Sequence, residues 1–598
     1  MDFRSLLLGA IFLIAPLAHS QDQSESKKLK TIVDEYTQAE KNLDAFLADY
    51  FGIEDKLDQF GDYASEAYYQ RSHDIIKNSL DKIKTVNADK LSESEKVEYR
   101  LFKNDMETAF RAYDFPALKY MDFNQMGNRL SSYIDQATPS ISSFPFDSVK
   151  HYDAFVKRSE GFSAYVDNQI AMLRKGIENK VTQSCLVIEK SANSYKAGLE
   201  TDPEKNPFYA PTKVFPKKIS KKDQARLREA FKNMIATRIV PGFKKLDAFL
   251  QGEYKEHCRK EFGIGALPDA KAFYAYEIRA QTDTDMDAKQ IHEIGVKEVA
   301  RIESEMNDVQ KQLGFNGTHQ EFLKSLLKED KFFFKNEKEL VKSFEQVRGE
   351  VKAVLPKYFS LIPKTGFKIV RSANPEDAAG IYHDPTDMTP IGRFVYNAAQ
   401  IRQIPKYEVA TLLMHETVPG HHLQFALAYE MKNSLSEYRR KLFGSGAFAE
   451  GWALYSEYLG REMGIYKDPV RRLGNLNDEL LRAVRLVVDT GIHSMGWDHD
   501  QTVHYMQEHL ATDLSDIEIE ANRYSVWPGQ ALAYKIGQLK ILELRKKSEQ
   551  QLADKFDIRE FHRAVIGAGS LSLPVLEQQV NDYIAKASQA PIRVPSSN

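Results

Sequence analysis

The chain has 598 residues, 82 Lys and Arg against 85 Asp and Glu, and a formal net charge of −3. A near-balance of charge with no basic tract excludes nucleic acid and anionic membranes as expected partners. Two cysteines, Cys185 and Cys258, are too few for a disulfide scaffold and lack the C-x-x-C spacing of a metal site. In an oxidising compartment they either form one bridge or remain two buried thiols.

Residues 1–20 read as a cleaved export signal. Arg4 sits in a short polar start, an apolar core runs from Leu6 to Leu17, and Ala18-His19-Ser20 precede Gln21. The apolar run is too short for a comfortable membrane span, and no cysteine follows the small residues to suggest a lipid anchor. The mature chain is therefore expected to be periplasmic or secreted, without an integral membrane segment. Beyond it, apolar residues recur at three- and four-residue intervals over 28–60, 64–85, 92–114, 148–178, 222–259, 287–313, 337–360, 406–432, 446–463, 471–490 and 530–553, predicting helices. The run Thr282-Asp283-Thr284-Asp285 has the composition of a helix start for the 287–313 element. Strand character is confined to pieces such as 367–370 and 393–397. The expected fold is mostly α-helical with a small β-sheet, in two lobes that divide near residue 270. Residues 21–270 form an N-terminal helical lobe and 271–598 a catalytic lobe, with a substrate channel between them.

The chemistry concentrates in Met414-His415-Glu416-Thr417-Val418-Pro419-Gly420-His421-His422-Leu423-Gln424, followed by Glu450-Gly451-Trp452-Ala453-Leu454-Tyr455-Ser456-Glu457. Two imidazoles and a later carboxylate around a His-Glu pair are the components of a hydrolytic zinc site. Three side chains hold the ion, and the neighbouring Glu takes a proton from water. The spacing departs from His-Glu-x-x-His. On a regular helix His421 points about 120° away from His415, and His422 returns to the same face only about 10 Å along the axis. A single ion therefore requires an irregular helix. Pro419 has no N–H for the carbonyl of His415, and Gly420 tolerates unusual dihedrals, so both weaken the ladder where it must widen. Two inserted residues put His421 where the second ligand normally stands. His422 is then a neighbour that orients substrate or a ligand.

The string H-E-x-x-P-G-H-H-L-Q, the segment A-E-G-W-A-x-Y-x-E, Arg523-Tyr524 and Pro528-Gly529-Gln530-Ala531-Leu532-Ala533-Tyr534-Lys535-Ile536-Gly537 resemble the bacterial domain-of-unknown-function family 885 from near residue 30 to near 585. The resemblance implies a Glu-zincin peptidase fold, distantly like angiotensin-converting enzyme and thimet oligopeptidase. It implies one Zn²⁺ per chain on His415, His421 and Glu450, with Glu416 as general base. It also places a late tyrosine on the scissile carbonyl oxygen, Tyr534 first and Tyr524 second; the plain alternative is that both are core aromatics.

Other residues serve as supports or substrate contacts. Glu457 shares a helix face with Glu450 and either backs a ligand or pairs with Arg482 or Arg485. Asp489 and His493 are a candidate pair that reaches the site and steadies a ligand, although a helix cap explains Asp489 almost as well. Arg523 and Lys535 are candidates to hold a peptide C-terminal carboxylate, with Gln530 beside them; the alternative is structural ion pairing. A strand edge at 393–397 would let an extended peptide pair its backbone. The expected activity is zinc-dependent hydrolysis of short peptides by an exported metallopeptidase. A zinc amidohydrolase acting on another amide, such as a cell-wall peptide, uses the same ligands. A non-catalytic binding protein of the same fold would not need Glu416.

Overall fold

The structure, a computed structural model, describes residues 15–124, 128–138, 142, 144–372, 379–385 and 390–589, apart from the side chains of residues 15–23, 48 and 50. The first fourteen residues of the expected leader lie outside that set. Among the described residues no helix is long and apolar enough to cross a membrane.

The architecture is mostly helical, with one three-stranded sheet. Helices occupy the predicted segments, but several are divided where side chains compete for the backbone. The 28–60 run breaks after helix Ala15–Leu43, because the Asp44 carboxylate accepts the N–H groups of Phe46 and Leu47 and caps a new helix, Ala45–Phe51. The 148–178 run is two helices, Val149–Arg158 and Phe162–Glu178. The helix after residue 287 begins at Asp287, whose side chain forms a reciprocal capping box with Gln290. The 282–285 run is not that start: Thr282 ends the preceding helix and Asp283 adopts a left-handed conformation as its cap.

The sheet comprises β1 (Phe367–Arg371), β2 (Gly380–His383) and β3 (Gly392–Tyr396), in the order β1-β3-β2. β1 runs parallel and β2 antiparallel to β3, with Tyr382 opposite Phe394. The predicted strand at 393–397 is therefore the middle strand, paired on both sides. It offers no free edge. The edges are β1 and β2, and β2 is a four-residue strand that the sequence pattern did not single out.

One aromatic-rich core gathers side chains from Phe46 to Tyr254, and the Cys185–Cys258 disulfide lies at its border with a Cα–Cα distance of 5.0 Å. A second core, containing Leu413, Met414, Phe448, Trp452 and Ile536, surrounds the motif helices and also takes in Leu101 and Ile264. A smaller core joins Leu29, Leu80 and Phe102 to Tyr438, so the first helices pack against the C-terminal half. Helices Gly446–Leu459 and Ala533–Leu552 approach so closely that a Cβ on Gly451 would lie 2.5 Å from the Cα of Gly537. That contact brings Glu450 and Tyr534 onto facing helices.

The disulfide closes a separation of 73 residues. Reducing it, or replacing both cysteines by Ala, is expected to lower unfolding free energy by about 2–4 kcal/mol. Urea titrations of oxidised and reduced protein check this; coincident midpoints would contradict it.

Candidate metal centre

His415 and Glu416 end helix Val409–Glu416, and His421 opens helix His421–Glu430. The interruption is sharper than a bulge within one helix. Thr417 (φ −115°, ψ −116°) and Gly420 (φ −76°, ψ −128°) both leave helical space. The Gly420 N–H donates to Met414 O at 3.0 Å and the Leu423 N–H to Thr417 O at 3.4 Å. Each bond spans six residues instead of four, which is the signature of two residues added to a turn. Gly420 is required by space: a Cβ there would lie 1.9 Å from the carbonyl oxygen of His415. The Trp452 indole N–H donates to Pro419 O at 2.9 Å and ties the turn to the Glu450 helix.

The widened turn turns both imidazoles toward Glu450. Nε2 of His415 and Nε2 of His421 lie 3.4 and 3.5 Å from Glu450 Oε2, and the two rings stand nearly perpendicular with centroids 4.8 Å apart. The oxygen they share is buried and has no hydrogen-bond partner. A tetrahedral ion with bonds of about 2.05 Å has ligand–ligand edges of about 3.3 Å, close to the two His–Glu450 edges seen here, and all three ligand atoms lie within 4.8 Å of one another. Among the described residues it is the one group of His, Cys, Asp and Glu side chains with that convergence. The donor set, two imidazoles and a carboxylate with no thiolate, suits zinc with an open position.

Behind the trio, His415 Nδ1 donates to Glu457 Oε1 at 2.7 Å, and the Thr411 hydroxyl donates to Glu457 Oε2 at 2.7 Å. This orients the ring so that Nε2 faces the shared centre, the atom that would bind a metal on losing its proton. Arg482 Nη2 lies 3.9 Å from the same carboxylate. Burial disfavours charge on His415, but Glu450 and Glu457 outweigh it and hold the imidazole up at about 10. Burial likewise opposes charge on Glu450, and the two imidazoles overcome it, keeping that carboxyl well below the usual range. Burial raises Glu416, with His415 and His421 partly countering it, and the Tyr382 N–H from β2 donates to its carboxylate.

The remaining expected residues divide clearly. His422 is buried, with Nε2 against Thr365 O at 3.1 Å and Nδ1 against the Tyr382 hydroxyl at 2.8 Å, so both ring nitrogens are engaged away from the trio. Tyr534 faces Glu450, whose charge, after burial, raises its pKa; the Arg485 guanidinium lies 4.6 Å over its ring. Tyr524 is buried instead. Its hydroxyl accepts from Arg485 Nε at 2.9 Å and donates to Glu520. Arg523 grips Glu520 with Nε and Nη2, both at 3.0 Å, and donates through Nη1 to Gln530 Oε1.

Lys535 has no exposed side-chain surface and is paired with Glu479 at 2.7 Å and Glu298 at 2.9 Å, so it is a structural ion pair, not a peptide-carboxylate contact. Asp489 and His493 do not pair with each other. Asp489 lies inside helix Pro469–Ser494, accepting from the Tyr274 hydroxyl and the Gly529 N–H, while His493 bridges Ile264 N and Tyr524 O. The sequence reading missed Tyr382, Thr411 and Glu520. Glu520 had a signal, standing three and four residues before Arg523 and Tyr524; Tyr382 had none, because only the sheet brings it to the motif.

The fold and this cluster define a mostly helical protein in which two histidines and one carboxylate converge as a candidate metal centre. The chain belongs to the family described as "Bacterial protein of unknown function (DUF885)", whose match covers residues 30–580. Among solved structures it is similar to a "putative lipoprotein" from Colwellia psychrerythraea, at 26% identity and a TM-score of 0.85 over 94% of this chain and 99% of that one. It shares its fold with a "putative lipoprotein of unknown function" from Shewanella oneidensis, at 19% identity and a TM-score of 0.68 over 92% of this chain and 99% of that one. No curated protein matches the chain.

Dialysed against zinc, the protein is expected to retain close to one ion per chain. His415→Ala, His421→Ala and Glu450→Ala should each lose most of it, His422→Ala should keep it, and Glu457→Gln should weaken affinity by about 10- to 100-fold. Metal analysis with competitive titration checks the series; loss in His422→Ala with retention in His421→Ala would shift the site by one residue.

Burial pushes Asp489 up to about 7, against roughly 3.9 in an unfolded chain. The folded state therefore holds this proton between those values. Its stabilising contribution is complete below about pH 4 and is lost as pH rises toward 7. Asp489→Asn is expected to flatten the stability profile across that window in chelator-treated protein; parallel wild-type and variant profiles would contradict it.

Proposed function

We propose that this protein is an exported zinc-dependent hydrolase that cleaves amide bonds in short peptides. The observation that carries the reading is the convergence of His415, His421 and Glu450, with the half-buried Glu416 beside them. A zinc ion bound there would supply a Lewis acid that acidifies water and polarises the substrate carbonyl. Glu416 takes the proton of the attacking water and passes it to the departing amine nitrogen. Its raised pKa suits both halves of that transfer. Tyr534, across from Glu450, donates its hydroxyl proton to the oxygen on which negative charge develops.

The peptide class follows from the sheet. β2 lies against the helix carrying His415 and Glu416 and is one of the sheet's two edge strands, with Ile381 exposed on it. An extended peptide can add to such an edge through its backbone, which would select by conformation more than by side chain. The reading carries with it a two-lobed, Glu-zincin-like arrangement in which a channel between residues 21–270 and 271–598 admits unfolded chains. Export is supported by the leader-like first twenty residues and by the description of the two similar structures as putative lipoproteins.

A mixed peptide library digested with zinc-loaded protein, read by mass spectrometry, should show cleavage that stops on chelation. Glu416→Gln should keep its zinc and lose about 10²–10⁴-fold in turnover. Intact peptides throughout, or normal turnover in metal-replete Glu416→Gln, would overturn the assignment.

A further inference from the structure

Helix His421–Glu430 ends one residue before Met431, and Met431, Ser434 and Leu435 form part of the wall of a cavity of about 1220 Å³. The other walls come from helices Glu93–Arg111, Ile558–Ile566 and Leu573–Gln589. Ten helical residues rise about 15 Å, so this cavity stands apart from His421. None of its lining residues belongs to the candidate metal trio or to the side chains that hold it.

Two charged side chains on the wall lack a counter-ion. Arg439 is 7% exposed; its Nη2 donates to the carbonyl oxygens of Ala568 and Ser570, but its buried Nε has no hydrogen-bond partner. Glu98 lines the same cavity from helix Glu93–Arg111, and its Oε1, also buried, has no partner either. Among the described residues neither group forms an ion pair, with the other or with a third residue. Burial dominates both, raising the Glu98 carboxyl and lowering the Arg439 guanidinium, as it does where no opposite charge is in contact. A charge withdrawn from water in this way calls for a partner.

Opposite charges in one cavity select against simple ions. The lining carries seven acidic residues against four basic ones, which repels phosphate and other anions, while Arg439 repels a bare cation. One chemistry answers both: an ammonium donates to Glu98 and a carboxylate accepts from Arg439. Leu361, Met431, Leu435, Phe556 and Ile558 supply apolar surface in the same cavity, suited to an aliphatic side chain. We infer that this cavity is a binding site for a zwitterion with an apolar side chain, a free amino acid or a short peptide, gripped by Glu98 at its ammonium and by Arg439 at its carboxylate. The site is separate from the candidate metal centre and does not depend on the peptidase reading.

Equilibrium dialysis of the full chain, treated with chelator so that no peptide is cut, tests the assignment with four labelled probes. These are L-leucine, leucyl-leucine, N-acetyl-L-leucine, which lacks the ammonium, and L-leucinamide, which lacks the carboxylate. Leucine or leucyl-leucine should bind, and the two blocked compounds should bind about 10- to 100-fold more weakly than the better of these, the worth of a hydrogen bond to a charged group. Tighter binding of leucine identifies a free amino acid as the occupant, and tighter binding of leucyl-leucine a short peptide.

Two substitutions assign the ends of the ligand. Glu98→Gln should erase the preference over N-acetyl-L-leucine and keep the preference over L-leucinamide; Arg439→Gln should do the reverse. Arg439 also holds the carbonyls of Ala568 and Ser570, so if that variant does not fold, Glu98→Gln decides alone. Glu450→Ala, which alters the metal centre, should bind the probes as the wild type does. No bound leucine or leucyl-leucine at millimolar concentration, equal affinity for all four probes, wild-type discrimination in Glu98→Gln, or loss of binding in Glu450→Ala would each overturn the proposal. Because no turnover is read, these outcomes are independent of whether the protein cleaves peptides.

Discussion

The convergence of His415, His421 and Glu450 depends on backbone bonds that a regular helix does not make. The Gly420 N–H reaches back six residues to Met414 O, and the Leu423 N–H makes the same span to Thr417 O. Those two bonds let two additional residues fit between His415 and His421 without leaving the chain's donors unsatisfied. They also bring the Gly420 Cα so near the His415 carbonyl that no side chain fits. Without this turn His421 faces away from His415, and Glu450 would meet a single imidazole.

Everything else around the centre holds these groups in register. Trp452 ties Pro419 to the Glu450 helix, Glu457 and Thr411 hold His415, and the close glycine contact between Gly451 and Gly537 sets the distance from Glu450 to Tyr534. The ion pairs of Lys535 with Glu479 and Glu298 belong to the same scaffold, anchoring helix Ala533–Leu552 from its far side. Removing one partner from so buried a cluster strands a charge, which costs far more than the intact pair contributes. The scaffold is thus stiff where the chemistry needs fixed distances.

The sequence made the helical character legible because apolar spacing is a local property. The convergence of His415 with His421 was legible because Pro419 and Gly420 announce a break in the one interval that must widen. Other features required tertiary information. β2 is four residues long, begins with Gly380 and becomes a strand only by pairing with β3. Lys535 and Tyr534 are adjacent, yet helical geometry sends them to opposite surroundings, one into a buried ion cluster and one toward Glu450. Tyr524 has a polar partner for both roles of its hydroxyl, so its chemistry is spent within the protein. Asp489 read from the sequence as a partner of His493 or as a helix cap; the helix continues past it, and it anchors the Gly529 turn instead.

The most direct measurement is X-ray absorption at the zinc edge on loaded wild-type protein and on His422→Ala. The account predicts two imidazole nitrogens and a carboxylate oxygen in the first shell at about 2.0–2.2 Å, with identical spectra for both proteins. Three imidazoles in the wild type, or loss of one imidazole in His422→Ala, would contradict the two-residue insertion on which the centre is built.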